Sequence, residues 1–250
     1  VSGRRLVLPA VATGISLVLL IGLGAWQWRR MAEKTALIAT IQQRIGTAPV
    51  AFPARAEWPR LDLANWAYRP VALSGRFDHA REAHVFFSLS KPVGGVSGPG
   101  YLIVTPFHLA EGGTVLVNRG FVPEARKAPA TRTAGQGDST ETLTGLVRLP
   151  EQRSMFSAAE DRTKNIHFVR DPLALAAALG LGEVAPVMVD LRTPAPGGGL
   201  PVPGVTQVDI PNNHRQYAFT WWSLAAVLAV IFAVFARGMR QPSSAPDRQV

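Results

Sequence analysis

Two long uncharged runs bracket a stretch in which apolar residues come in short groups or alternate with polar ones. Leu6–Trp28 carries no charge, and neither does Gln216–Ala236. At ~1.5 Å rise per residue, a helical run of this length covers roughly 30 Å, the thickness of a bilayer core. Both runs are read as transmembrane helices. The rival for the first is a cleaved signal peptide, but its apolar region would be shorter, and Gly22-Leu23-Gly24-Ala25 is a poor cleavage site. Pro9 is acceptable near the start of a span.

Between the spans the pattern changes twice. From Arg29 to Arg44 the apolar residues Leu37, Ile38, Ile41 and Ile45 recur at helical spacing, and Gly46 stops them, so the first helix should continue beyond the membrane. Leu61–Trp66 suits a short helix or turn. The expected strands are Tyr68–Phe77, Ala83–Leu89, Tyr101–His108, Thr114–Arg119, Thr142–Arg148, Ile166–Arg170 and Val187–Leu191. They are β-branched or aromatic and separated by Gly, Pro and Asp. Glu111-Gly112-Gly113 should turn a hairpin. Ala125–Ser139 reads as a mobile loop, Asp171-Pro172 starts a helix that Gly180 ends, and Pro194–Gly204 is a linker returning to the membrane.

The expected fold is therefore an α+β membrane protein. A two-helix transmembrane hairpin carries an antiparallel, β-rich domain, curled or barrel-like, with one or two packed helices. The boundaries are a cytoplasmic N-terminus at 1–5, transmembrane helix 1 at 6–28, a periplasmic β-rich domain with the helical extension at 29–211, transmembrane helix 2 at 212–236 and a cytoplasmic tail at 237–250. Arg4, Arg5, Arg237 and Arg240 put both termini in the cytoplasm. Arg29, Arg30 and Lys34 oppose that bias, but they begin a long loop, which translocates largely regardless of charge. This topology sets Trp26–Arg30 and Asn213–Trp222 at one depth, facing each other.

Composition then narrows the chemistry. With 47% apolar and 17% charged residues, membrane spans are the first explanation for the balance. There is no Cys, which removes disulfides, thiolate metal sites and CxxC redox chemistry. A net charge of +9 raises the question of nucleic acid. The basic residues are scattered, however, and no recognition motif accompanies them, so no nucleic-acid partner is expected.

Four local features invite chemical readings. Gly94-Gly95-Val96-Ser97-Gly98-Pro99-Gly100 lacks the Lys-Ser/Thr and the following helix of a phosphate loop, so it is read as backbone geometry. Arg119 is expected to pair with Asp78 or Glu82. His79 and His84, five apart, would lie on opposite faces of a strand and share no metal. No hydrolase elbow or carboxylate pair is present, so no enzyme is expected. His214 stands apart because it opens the second span. The positive end of a helix dipole suits a neutral imidazole, the form that ligates iron. Asn213 and Gln216 suit a capping box, and Tyr217, Trp221 and Trp222 are rings that settle at a lipid–water boundary.

Taken together, several segments resemble the surfeit locus protein 1 family. Gly24-Ala25-Trp26-Gln27-Trp28-Arg29-Arg30 with Lys34 is similar to its LGxWQxxR…K element. Gly75-Arg76-Phe77-Asp78 with Arg81-Glu82 is similar to its GxFD…rE segment. Gly98-Pro99-Gly100-Tyr101 and Val117-Asn118-Arg119-Gly120-Phe121-Val122-Pro123 resemble its GpGy and VNRGWVP segments. Asn213–Trp221 resembles its NxHLxYAxTW signature. Phe121 replaces the usual Trp and Arg215 the usual Leu. The resemblance implies a non-enzymatic assembly factor for haem–copper cytochrome c oxidase in a bacterial inner membrane. It would bind haem a transiently and help deliver it to subunit I. Candidate partners are that subunit, haem A synthase and the lipid bilayer. The alternative role is a scaffold that holds these partners without touching haem. His214 is the implied iron ligand. Trp26, Tyr217, Trp221 and Trp222 are candidates to pack the macrocycle, and Arg29, Arg30 and Arg215 to meet its propionates.

Overall fold

The computed structural model describes residues 2–155, 157–193, 199–205 and 212–240. The chain divides into two compact units, Val1–Thr40 with Asp209–Val250, and Ile41–Val208.

The first unit is a helix pair. Helix α1 runs unbroken over Ser2–Ile45, so the expected span and its extension are one helix. The other helix, α4 (His214–Arg240), follows Asn213, whose main-chain carbonyl accepts from the amides of Gln216 and Tyr217. Both helices are long and apolar enough to cross a membrane, and little or none of their most apolar stretches is buried within the protein. Val18, Leu19 and Val230 are among many large side chains left exposed there. Such helices are not the core of a soluble domain. Lipid is the solvent that suits them, and each satisfies its own backbone hydrogen bonds. The seam between them uses small residues: Gly24 on α1 is buried, as are Ala218 and Ala225 on α4.

The second unit is built on an eight-stranded sheet, with strands β1 (Val50–Ala51), β2 (Pro70–Phe77), β3 (Ala83–Val93), β4 (Val96–Leu109), β5 (Thr114–Pro123), β6 (Glu141–Arg148), β7 (Ile166–His167) and β8 (Met188–Leu191). The order is β1-β2-β6-β8-β5-β4-β3-β7, and β2 also pairs with β4. That last pairing closes β2, β6, β8, β5 and β4 into a ring, so the barrel-like expectation is met. The strictly antiparallel expectation is not: β1–β2, β3–β7 and β5–β8 are parallel. Parallel pairing needs a long crossover. Between β5 and β8 the chain supplies one that includes α3 (Pro172–Ala178).

Alternation along the ring strands fills the interior with Val71, Leu73, Phe77, Phe107, Val115, Val117, Leu143, Val147 and Val189. Trp58, buried beside them, donates its indole N–H to the carbonyl of Pro53. Asp171 caps α3 through Leu173 and Ala174, as its sequence implies. A short helix, α2, spans Leu63–Trp66. The glycine cluster is structural: Gly94 and Gly95 have positive φ and turn β3 into β4, while Gly98-Pro99-Gly100 lies inside β4. Glu111-Gly112-Gly113 makes the β4–β5 hairpin. Residues 194–198 of the expected linker lie outside the described residues, but Val202 forms an isolated antiparallel bridge with Phe121.

Candidate functional site

Within the helix pair, the end of the first uncharged run and the beginning of the second do face each other. Asn212 donates to the carbonyl of Met31 at 3.3 Å and to Thr35 Oγ1 at 3.1 Å. His214 Nδ1 lies 2.6 Å from Gln27 Oε1. Trp28, Phe219 and Trp222 form a ring cluster, with centroids 5.7 Å apart for the two indoles and 6.3 and 6.1 Å from each to Phe219.

The seam has two flanks. On one, Gln27 meets His214. At spacings of three or four, Leu23, Gln27, Arg30 and Lys34 form one stripe on α1, and His214, Tyr217 and Trp221 form one on α4. Trp221 Nε1 is shielded and has no hydrogen-bond partner among the described residues. The other flank holds an open groove of about 1000 Å³, with Trp28, Asn212, Arg215, Phe219, Leu224 and Val227 in its lining.

The expected site residues are therefore distributed, not gathered. His214, half-buried, does not line the groove; it shares its flank with Tyr217, Trp221 and Arg30. Arg215 lines the groove, and Trp222 packs beside Trp28 at its edge. Arg30 pairs with Glu33 at 2.8 Å. Gly24, Gln27, Trp28 and Met31 turn towards α4, so at ~100° per residue Trp26 and Arg29 point away from it. Trp26 is 56% exposed, in keeping with that position. Gln27, missed as a site residue, had one visible signal: it is an amide set between two tryptophans in an otherwise apolar span.

In the barrel unit, the Val117–Pro123 segment is architectural. Asn118 donates to Asp190 at 2.8 Å, tying β5 to β8, and accepts from the Gly120 amide at 3.1 Å. Arg119 is fully buried and does not pair with Asp78 or Glu82, contrary to expectation. Its side chain points along the inward-facing row of β5 onto the Phe77 ring, 5.1 Å away, and donates to the Gly135 carbonyl and towards His79 Nδ1 at 3.2 Å. Burial lowers its pKa to about 10.

Glu82 is instead taken by Arg132 and by His84, the latter at 2.9 Å. Burial pushes the Glu82 carboxyl upward, but the bonds from His84 and Arg132 outweigh it and hold the group below the usual range. Burial, reinforced by the Arg119 charge, lowers the pKa of His79. His79 stands in a 3₁₀ turn before β3, and no metal-binding group of three or more His, Asp or Glu occurs among the described residues.

These contacts correct the expected mobile loop. Residues 124–135 form three 3₁₀ turns, latched to the barrel by Arg132–Glu82, by Arg119 to the Gly135 carbonyl, and at Gly137 by His79 Nε2 at 3.2 Å. The loop composition showed the turns but not the buried partners waiting for Arg132.

A closed mixed barrel and two helices long and apolar enough to cross a membrane are consistent with a membrane-anchored α+β protein. The SURF1 family model matches residues 14–226, and the chain belongs to that family. It is 37% identical to Surfeit locus protein 1 of Mus musculus over 227 residues, covering 86% of this chain and 72% of the mouse protein. The Homo sapiens Surfeit locus protein 1 is 37% identical over 231 residues, 87% of this chain and 74% of its own. A SURF1-like protein of Drosophila melanogaster is 38% identical over 224 residues, 84% and 72% respectively.

Proposed function

We propose that this chain is a non-enzymatic assembly factor for haem–copper cytochrome c oxidase, carrying haem a at the outer edge of a bacterial inner membrane and passing it to subunit I. The carrying observation is His214: a single imidazole at the end of the helix pair, with one nitrogen engaged by Gln27 and the other without a hydrogen-bond partner among the described residues. The surrounding chemistry fits a porphyrin. Tyr217 and Trp221 offer ring surface on the same flank, and Arg30 and Lys34 offer cations for propionates. The macrocycle would lie against that flank, not in the groove lined by Arg215. Its isoprenoid tail would stay in lipid, which removes the cost of exposing it to water. The barrel would stand in the periplasm, with both termini cytoplasmic.

A second reading has its own support. The groove of about 1000 Å³ lies on the flank away from His214, with Leu224 and Val227 along an exposed helix face. A scaffold that seats a helix of subunit I or of haem A synthase there would not need His214. One experiment separates the two. The full chain is purified from cells making haem A, and its absorption spectrum and co-purifying partners are measured. Haem a bound by the wild type and lost in His214→Ala supports carriage. Haem-free protein that still brings down its partners, with or without His214, supports the scaffold and defeats carriage.

A further inference from the structure

Gln27 has no evident reason to be in an apolar helix unless its amide has a partner. An amide without a partner in hydrocarbon costs several kcal/mol. Here its oxygen lies 2.6 Å from His214 Nδ1, across 187 positions of sequence. A carbonyl oxygen can only accept, so Nδ1 must carry the hydrogen. A neutral imidazole has one N–H, which leaves Nε2 with a bare lone pair.

We propose that Gln27 is a positioning residue that fixes the tautomer and ring orientation of His214, presenting Nε2 as the donor atom for iron. This rests on the haem reading given above. The chemistry follows the general pattern of histidine ligands, whose second ring nitrogen donates to an oxygen that sets the tautomer and makes the ligating nitrogen more basic. The contact also explains why the amide stands where it does. Gln27 shares a stripe with Arg30 and Lys34, so the residue that orients the ring and the cations suited to propionates belong to one face of α1.

The test has two readouts. In the full, haem-free chain in detergent, ¹⁵N spectra of labelled histidines, assigned with His214→Ala, report the tautomer directly. Wild type is expected as Nδ1–H, and Gln27→Leu as predominantly Nε2–H. In chains purified from cells making haem A, Gln27→Leu is expected to lower haem occupancy or affinity about 10- to 100-fold. Gln27→Glu, which keeps an acceptor, restores binding and raises the Fe–His stretching frequency in the resonance Raman spectrum. An Nε2–H tautomer in the wild type overturns the proposal. So does unchanged occupancy and Fe–His frequency in Gln27→Leu while His214→Ala loses haem. Haem retained equally by His214→Ala defeats the ligand reading itself, a result distinguishable from either of these.

Discussion

Gly24→Ala is the smallest change that tests whether the helix pair is held as described. A Cβ built at Gly24 would lie 2.2 Å from Trp222 Nε1 and 2.4 Å from Trp222 Cδ1. Ordinary contact needs ~3.5 Å, so the indole must retreat by about 1.3 Å. Trp222 has little room to do so, because Trp28 and Phe219 stand against it. Overpacking of this kind costs ~1–3 kcal/mol, and each displaced ring contact adds ~0.5–1.5 kcal/mol. A loss of ~2 kcal/mol changes the ratio of open to closed helix pair about thirtyfold. The assay uses the absence of Cys in the chain. Thr35→Cys and Asn212→Cys, at side chains that touch, become the sole thiols, and their oxidation rate reports closure. Gly24→Ala should slow it, and Trp222→Leu placed on top should restore it. Equal rates in wild type and Gly24→Ala, or no rescue by Trp222→Leu, would refute the packing described.

Two further outcomes concern the barrel unit. Arg119→Met removes the donor to the Gly135 carbonyl and the contact with His79, so residues 124–135 should loosen; trypsin cleavage at Arg126, Lys127 and Arg132 should accelerate at least ~10-fold, since opening by one hydrogen bond to a charged group is worth ~1.5–3 kcal/mol. Unchanged cleavage would show that the latch lies elsewhere. The pH dependence has a defined sign. Because His79 has its pKa lowered by burial and by Arg119, its contribution is present above the unfolded value of ~6.5 and is lost as pH falls through the folded one. Glu82, also lowered, contributes above ~4.5 and loses that contribution at lower pH. Thermal midpoints should therefore be flat from neutrality down to about 6.5, fall gently below it, and fall steeply below about 4.5. Glu82→Gln should flatten the steep limb, and a profile identical to wild type would contradict the Glu82 assignment.

The two long apolar helices were legible because their signal is local. An uncharged run of sufficient length leaves a helix as the way to satisfy its own backbone, and the strands and hairpin glycines announced themselves by alternation and turn chemistry. The shared depth of Trp26–Arg30 and Asn213–Trp222 led to the expectation that they meet, and the contact itself is a property of the folded helix pair. What topology could not fix is the angle at which each side chain leaves its helix once two helices pack. That angle sent Trp26 and Arg29 outward, gave Arg215 to one flank and His214 to the other, and put Gln27 against the imidazole. The barrel tells the same story. Sequence marked Arg119 as a charge needing a partner, but its neighbours come from Phe77, His79 and Gly135, and Glu82 was taken by Arg132. Parallel pairing of β5 with β8 likewise depended on where a long crossover could lay the chain down. Local pattern specifies elements because each residue's backbone preference acts over a few positions. Which buried polar groups find one another is decided only when distant segments compete for the same small volume.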